Sequence, residues 1–186
     1  DPLRGIRFPA LSGAGPSGAR PEHLKELVSV RCRPKANKLL AALTELRSKG
    51  QAGTLPACAR WILDSHLVYL KKKHGPKPRP IRVGELWRRV IAKGLVHDHR
   101  HKIQQLMLRL RQYGVAIPGG ADTLIHFRSA CEEGIRRGSD EALIALDVDF
   151  ENAFPSFEWS GIRDSVSAHM PSLSAWTAWR HREPSR

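Results

Sequence analysis

Three carboxylates that follow a short apolar run are the first candidates for chemistry. Asp147, Asp149 and Glu151 stand at alternate positions directly after residues 143–146, which read Leu-Ile-Ala-Leu. A run of this kind predicts a buried strand that ends near the acids. Because an unpaired buried carboxylate is costly, the acids indicate a cationic partner such as a metal ion. A turn-forming or helix-capping role explains a single Asp equally well, so the rest of the chain must decide.

The two aspartates differ in the residues that come after them. They are two residues apart, so on a strand both side chains point to the same face and either one could contact a metal. Five residues after Asp149 stands an aromatic residue, Phe154, whereas five residues after Asp147 stands Asn152. Pro155 then prevents a strand ladder from continuing.

The charge of the whole chain indicates a polyanionic partner. Among 186 residues, 31 Lys and Arg outnumber 18 Asp and Glu, which gives a net charge of +13. Nucleic acid is the first candidate partner and an acidic membrane surface the second. Neither a membrane-spanning run nor a signal peptide is recognisable, so we expect an intracellular protein of the nucleus or cytoplasm, with no membrane partner. The three cysteines lie far apart and form neither a disulfide framework nor a zinc pattern.

A basic β-hairpin is predicted at about residues 67–84. Two β-prone runs flank a turn rich in Gly and Pro, and five Lys and Arg side chains lie in or beside that turn. Pro78 and Pro80 cannot donate to a ladder, so the second strand is predicted to be an edge strand. The positive charge fits a phosphate clamp; the alternative is an edge strand whose charges keep it soluble.

Helical periodicity covers most of the remaining chain. Residues 1–20 are rich in Gly, Pro, Ser and Arg and are predicted to form a flexible arm. Pro21 then fits the first turn of a helix, where its missing N–H costs nothing. One predicted helix begins at Pro21 and another at Ala121. Five more are predicted over residues 35–49, 57–66, 85–110, 159–169 and 173–181.

Some of these helices carry specific expectations. The helix over 35–49 should end at Gly50 and Gly53. The next helix should bury Trp61 and Ile62. The helix that begins at Ala121 should turn one apolar face inward, at spacings of three and four residues, through Leu124, Phe127, Cys131 and Ile135.

Three histidines, His97, His99 and His101, stand in the middle of the long basic helix. The stretch that contains them is a candidate break in the helix. A zinc site is the alternative, but a spacing of two residues splays the side chains around a helix, so a plain surface turn is favoured.

Three blocks, taken in order, resemble the fingers and early palm of reverse transcriptases. They are the hairpin with Arg79-Pro80-Ile81, the connector Gln112-Tyr113-Gly114 with its following helix, and the strand at Asp149. The non-LTR retrotransposon and group II intron branch is the most similar, over roughly residues 15–170. Asp149-Phe150-Glu151-Asn152-Ala153-Phe154 resembles the first catalytic motif of that family.

The resemblance implies an α+β fold, a partial right-hand polymerase with a mostly helical N-terminal region. Residues 1–20 would be the arm, and residues 21–140 the fingers with the hairpin at about 67–84. Residues 141–186 would begin the palm, with the first catalytic strand and the helices that follow it. The implied activity is that of an RNA-directed DNA polymerase, with an RNA template, a DNA primer and dNTPs as partners.

Roles for individual residues also follow from the resemblance. Asp149 would bind two Mg²⁺ or Mn²⁺ ions, and the Phe150 carbonyl would complete the shell of one. Phe154 would exclude the ribose 2′-OH, and Lys72 and Arg79 would bind the triphosphate. Template or primer contacts would fall on Gln112, Gly114 and Arg82.

One departure from the family pattern limits the expected activity. The second catalytic block of the family, an aromatic-Ala-Asp-Asp tetrapeptide, does not occur in the sequence, and Asp164 stands in a helical setting that cannot replace it. We therefore expect this chain alone to be inactive, as a fragment, a truncated gene model or a decayed retroelement relic. The main alternative is a non-catalytic basic RNA-binding module. A ribosomal or other RNA-packaging protein is a third interpretation, on charge alone.

Overall fold

The computed structural model describes residues 3, 6–9, 12–27, 33–71, 78–138, 146, 148–150 and 156–182. Their mixture of helices with a two-stranded sheet confirms the α+β class. Within these residues, no helix combines the length and apolarity needed to cross a membrane. The helices are α1 (Pro21–Leu27), α2 (Arg33–Ala52), α3 (Leu86–Asp98), α4 (Arg100–Arg109), α5 (Gly120–Arg136), α6 (Trp159–His169) and α7 (Ser174–Arg180), the strands are β1 (Ser65–Leu70) and β2 (Arg79–Gly84), and two short 3₁₀ helices cover Ala57–Leu63 and Pro171–Leu173.

The chain divides into two compact units. Unit 1 consists of Asp1–His97 together with Trp159–Arg186, and unit 2 consists of Asp98–Glu158. Unit 1 therefore contains the hairpin, α1 to α3, α6 and α7, whereas unit 2 contains α4, α5 and the acidic stretch.

Helix α3 joins the two hydrophobic clusters of unit 1. Its residues Leu86 and Val90 belong to one cluster, and Ile91 and Leu95 belong to the other. Each pair is four residues apart, so each forms one row on the helix surface, and the two rows pack against different partners. The first cluster is completed by Leu24 and Leu43, and the second by Leu55, Ile62, Leu63, Trp176 and Trp179.

Helix α2 continues past Gly50, which was predicted to end it. A side chain at Gly50 would stand 3.1 Å from Ile91 Cγ2, so the glycine permits close packing against α3. The helix ends before Gly53, whose φ of +67° is the left-handed conformation typical of a helix terminus.

The third predicted helix is replaced by the 3₁₀ helix Ala57–Leu63 and the first residues of β1. Ile62 is buried as expected, but Trp61 is 47% exposed, so that prediction was wrong. The 3₁₀ repeat of three residues aligns Ala59 with Ile62 towards the core and leaves Trp61 beside that row.

The basic hairpin is confirmed. Strands β1 and β2 pair antiparallel, with Ser65 opposite Gly84 at the base and Leu70 opposite Arg79 near the turn. The turn itself, residues 72–77, lies outside the described residues. Because this described sheet has only two strands, each of them is an edge strand.

Unit 2 departs furthest from expectation. The break in the long basic helix is present at His99, between α3 and α4. In α5, however, the face predicted to be inward is open: Leu124, Phe127 and Ile135 are 47%, 67% and 40% exposed. Cys131 is partly buried. The reason is that the described part of the unit supplies no sheet for this face to pack against.

The predicted buried strand before the acids is wrong for the residues that the structure describes there. Leu146, Val148 and Phe150 are 83%, 60% and 71% exposed, and they belong to no helix or strand. A strand requires a neighbouring strand for its backbone hydrogen bonds, and among the described residues β1 and β2 pair with each other and with no third strand. Residues 141–145, 147 and 151–155 lie outside the described residues.

Candidate nucleic-acid interface

One face of the hairpin carries an exposed aromatic residue beside a cation. Side chains alternate along a strand, and the register places Leu67 opposite Arg82 and Tyr69 opposite Pro80. These four residues therefore share one face, called here the tyrosine face. Tyr69 is 62% exposed and Leu67 is 48% exposed, and Arg82 is also exposed. Apolar and aromatic side chains left open beside an arginine are typical of a binding surface.

The opposite face of the hairpin carries Arg79. The register pairs Leu70 with Arg79 and Val68 with Ile81 on this side. At its base Val83 is partly covered by the N-terminal segment, because a side chain at Gly13 would lie 3.3 Å from Val83 Cγ1. The two described hairpin cations of the sequence prediction, Arg79 and Arg82, therefore point to opposite faces. They are not brought together.

Arg88 from α3 extends the tyrosine face at the base of the hairpin. Its Nη1 donates a hydrogen bond of 3.0 Å to the carbonyl of Leu63. Its guanidinium occupies the space in which a side chain at Gly84 would stand. Gly84 lies two residues from Arg82, so that space belongs to the same face. The sequence prediction missed Arg88, although a glycine at the end of a basic strand is a signal of close approach.

The base of the hairpin is fixed by a buried carboxylate. Glu85 is 1% exposed and stands between β2 and α3. Its Oε1 accepts a hydrogen bond from the Ser17 N–H at 2.6 Å, and its Oε2 accepts one from the Ser17 hydroxyl at 2.7 Å. Its own N–H donates to the Asp64 carbonyl at 3.1 Å. Both carboxylate oxygens are thus satisfied by neutral donors, as burial requires.

The N-terminal segment is packed closely against this carboxylate. A side chain at Gly15 would stand 2.6 Å from the Glu85 Cα, so only glycine fits at that position. Ile6 and Phe8 pack against the cluster that contains Leu86 and Val90. The described part of the segment therefore lies against the elements that carry the tyrosine face.

Several arginines lie close enough together near the base of the hairpin for their positive charges to interact. Burial lowers the pKa of Arg88, and the positive charges of Arg180, Arg82 and Arg89 lower it further, while Glu85 opposes them. Burial also lowers the pKa of Arg180. Guanidinium groups keep their charge under such shifts, so the base of the hairpin has a strongly positive potential.

The resemblance implies catalytic residues, and those that the structure describes lie in unit 2. Asp149 is exposed and Phe150 is 71% exposed. Gln112 and Gly114 are exposed in the connector between α4 and α5, and the Gln112 N–H donates to the Met107 carbonyl at 2.8 Å. Lys72 and Phe154 lie outside the described residues, as do Asp147 and Glu151.

The described residues offer an incomplete set of metal ligands. No group of three or more His, Cys, Asp or Glu side chains comes together among them, and His97, His99 and His101 do not form one. The Asp149 carboxylate and the Phe150 carbonyl are oxygen donors of the kind Mg²⁺ prefers. Two donors fall short of the octahedral shell that Mg²⁺ requires.

Comparison with known proteins identifies no relative. No family model matches the chain, and no curated protein or solved structure matches it. Function is therefore inferred from the geometry of the hairpin and from the motifs of the sequence.

Proposed function

We propose that this chain binds single-stranded nucleic acid along the tyrosine face, as the fingers and partial palm of a reverse-transcriptase-like polymerase. The observation that carries the binding proposal is the exposed Tyr69 beside Arg82, on a hairpin whose base is positively charged. The assignment to a polymerase is supported by the sequence resemblance.

The tyrosine face provides the two interactions that single strands require. A base can stack on Tyr69, and base–aromatic stacking contributes about 1–3 kcal/mol for each base. Leu67 and Pro80 extend the apolar surface beside the ring. Arg82 and Arg88 can each bind a phosphate oxygen through two N–H groups. Because neither interaction reads a base edge, we expect binding with little sequence preference.

Further residues of the chain would have specific roles in a polymerase. When bound, divalent metal ions would supply Lewis-acid stabilisation of the transferring phosphoryl group. Asp149 and the Phe150 carbonyl would hold them, Phe154 would contact the sugar, and Lys72 and Arg79 would orient the triphosphate. Gln112, Gly114 and Arg82 would contact the template or primer.

Equilibrium binding of a fluorescein-labelled oligouridine, followed by anisotropy across a KCl series, tests the proposal. We expect affinity to fall steeply with salt, because each phosphate contact in a single strand contributes about 0.7 to the logarithmic slope. Tyr69→Ala should weaken binding by about tenfold or more, whereas Tyr69→Phe should retain most of it. Phe127→Ala, which removes a similarly exposed aromatic ring from α5, is the matched control. A flat salt response, or equal losses for Tyr69→Ala and Phe127→Ala, would contradict the proposal.

A non-catalytic RNA-binding module is the second candidate function. It is favoured by the net charge of +13 and by a sequence that lacks an aromatic-Ala-Asp-Asp tetrapeptide. Binding of a fluorescent dNTP with and without Mg²⁺ separates the two. A polymerase-derived site predicts Mg²⁺-dependent binding that Asp149→Asn weakens. A non-catalytic module predicts no dependence on Mg²⁺ and no effect of that substitution.

A further inference from the structure

At the base of the hairpin, the positive charges that act on Arg88 outnumber the one described carboxylate, Glu85, that opposes them. Among the described residues, the side chains of Arg82 and Arg180 have no hydrogen-bond or ion-pair partner, and the Arg88 side chain donates to the Leu63 carbonyl. The buried Glu85 carboxylate offsets part of this charge, and both its oxygens accept hydrogen bonds from Ser17. Partly buried charges are costly without a counter-ion, so this cluster favours the binding of an anion.

Contacts within unit 1 connect the elements that carry the three arginines. Arg88 reaches back over Gly84 to the Leu63 carbonyl, at the end of the 3₁₀ helix that precedes β1. Leu63 packs in the same cluster as Trp179, the residue before Arg180. Arg180 is close enough to Arg88 for their charges to interact, and so is Arg82.

Hydrogen bonds fix the backbone next to Arg180. Arg60 Nη1 donates to the Trp179 carbonyl at 3.0 Å, and its guanidinium lies 5.6 Å from the centre of the Trp179 ring. The Trp179 indole N–H donates to the Leu55 carbonyl at 3.0 Å. These contacts hold the end of α7 against the core, so Arg180 is presented from a fixed backbone.

We propose that Arg82, Arg88 and Arg180 form one phosphate-binding site, which holds a backbone phosphate of the nucleic acid strand on the tyrosine face. This inference rests on the proposed function and deepens it, since it adds a fixed anchor from α3 and α7 to a hairpin contact. Guanidinium groups match phosphate geometry because each offers two parallel N–H donors. Arg82 and Gly84, over which Arg88 lies, are neighbours on one face of β2. A strand whose base stacks on Tyr69 therefore reaches the site along the same face.

Substitution of Arg180 tests the site without disturbing the tyrosine face. Arg180→Gln should weaken oligouridine binding by about tenfold and lower the logarithmic salt slope by about 0.7. Arg180→Lys should recover only part of the affinity, because an ammonium group cannot bind phosphate in a bidentate manner. Arg109→Gln on α4 makes the same charge change at an exposed arginine and is the control.

A double variant shows whether the arginines share one phosphate. If they do, Arg82→Gln combined with Arg180→Gln should lower the slope no further than either substitution alone, and the affinity losses should fall short of additive. Fully additive losses with a slope lower by about 1.4 would show two separate contacts and overturn the single site.

Stabilisation by inorganic phosphate provides a readout that does not depend on nucleic acid. Phosphate should raise the Tm of the wild type and of Arg109→Gln, but raise that of Arg180→Gln less. If oligouridine does not bind but this pattern holds, the proposed function fails and the anion site stands without its nucleic acid. If oligouridine binds and Arg180→Gln behaves as Arg109→Gln in both assays, the site is overturned while the proposed function stands. If Arg180→Gln lost binding to phosphatidylglycerol vesicles while its binding of oligouridine stayed unchanged, the assignment to nucleic acid would be overturned.

Discussion

Ser17 and Glu85 are 68 residues apart in the sequence, and Ser17 donates two hydrogen bonds to the buried Glu85 carboxylate. One comes from its backbone N–H and the other from its hydroxyl. Because Glu85 stands at the junction of β2 and α3, this pair ties the N-terminal segment to the base of the hairpin. The position of the tyrosine face thus depends on a residue outside the hairpin.

Removal of the Ser17 hydroxyl should therefore destabilise unit 1. We expect Ser17→Ala to lower the free energy of unfolding by about 1–3 kcal/mol, since it leaves one oxygen of a buried carboxylate without a donor. Urea denaturation followed by circular dichroism measures the change. Ser12→Ala removes an exposed hydroxyl that donates to the nearby Pro9 carbonyl and should cost less than about 0.5 kcal/mol. Equal costs for the two variants would show that the Glu85 contact is not important.

Substitution of Gly84 should disturb Arg88 and leave the backbone intact. The added methyl group of Gly84→Ala would overlap the Arg88 guanidinium, which must then leave the Leu63 carbonyl. We expect weaker oligouridine binding, by about three- to tenfold, and a smaller salt slope. Gly161→Ala, at a helical position where a side chain meets open space, is the matched control and should leave binding unchanged. Unchanged binding in Gly84→Ala would remove Arg88 from the interface.

The stability of unit 1 should depend on His181 in mildly acidic solution. Burial lowers the pKa of His181 from 6.5 to about 4, and the charges of Arg180 and Arg163 contribute. The ring is stacked on Trp159, with centres 4.0 Å apart. Because the folded pKa is the lower one, the neutral ring contributes stability above pH 6.5, and this contribution is lost as the pH falls towards about 4.

The comparison of wild type with His181→Gln isolates that effect. Urea denaturation at several pH values across this window should show a smaller loss of stability in the variant, because the unfolded state no longer gains a proton at this residue. His101→Gln, at an exposed position on α4, should leave the pH dependence of the wild type unchanged. Parallel curves for wild type and His181→Gln would contradict the assignment.

Primer extension by this chain alone should be undetectable with Mg²⁺ or Mn²⁺. The reason is that the sequence contains one candidate catalytic block, at Asp149, and no aromatic-Ala-Asp-Asp tetrapeptide to complete a two-metal site. Incorporation of a labelled dNTP on an RNA template with a DNA primer is the measurement, and an established reverse transcriptase is the positive control. DNA synthesis that Asp149→Asn abolishes would show that other residues of the chain complete the site.

The sequence predicted those elements whose signals are local. The hairpin follows from two β-prone runs around a Gly/Pro turn, and α6 follows from helical periodicity over residues 159–169. Trp61 and the apolar face of α5 were predicted wrongly, because periodicity shows that one face is apolar but not whether a partner covers it.

The parts of the interface that sequence reasoning missed depend on contacts between distant residues. In the sequence, Arg88 is one more basic residue of a predicted helix, and Glu85 is an acidic residue at its start. Only tertiary packing shows that Arg88 shares a face with Arg82, or that Ser17 satisfies Glu85. Local patterns carry no information about such pairs.

The hydrogen bond between Trp179 and Leu55, which spans 124 residues, constrains the order in which the chain can fold. Unit 1 is discontinuous, since its last helices come after the whole of unit 2. During synthesis, α7 must therefore emerge from the ribosome before the cluster around Ile91 can form. Contacts between residues so far apart in the sequence form slowly. Until then Leu55, Ile62 and Leu95 lack their tryptophan partners, so the nascent chain exposes an apolar surface that chaperones can bind.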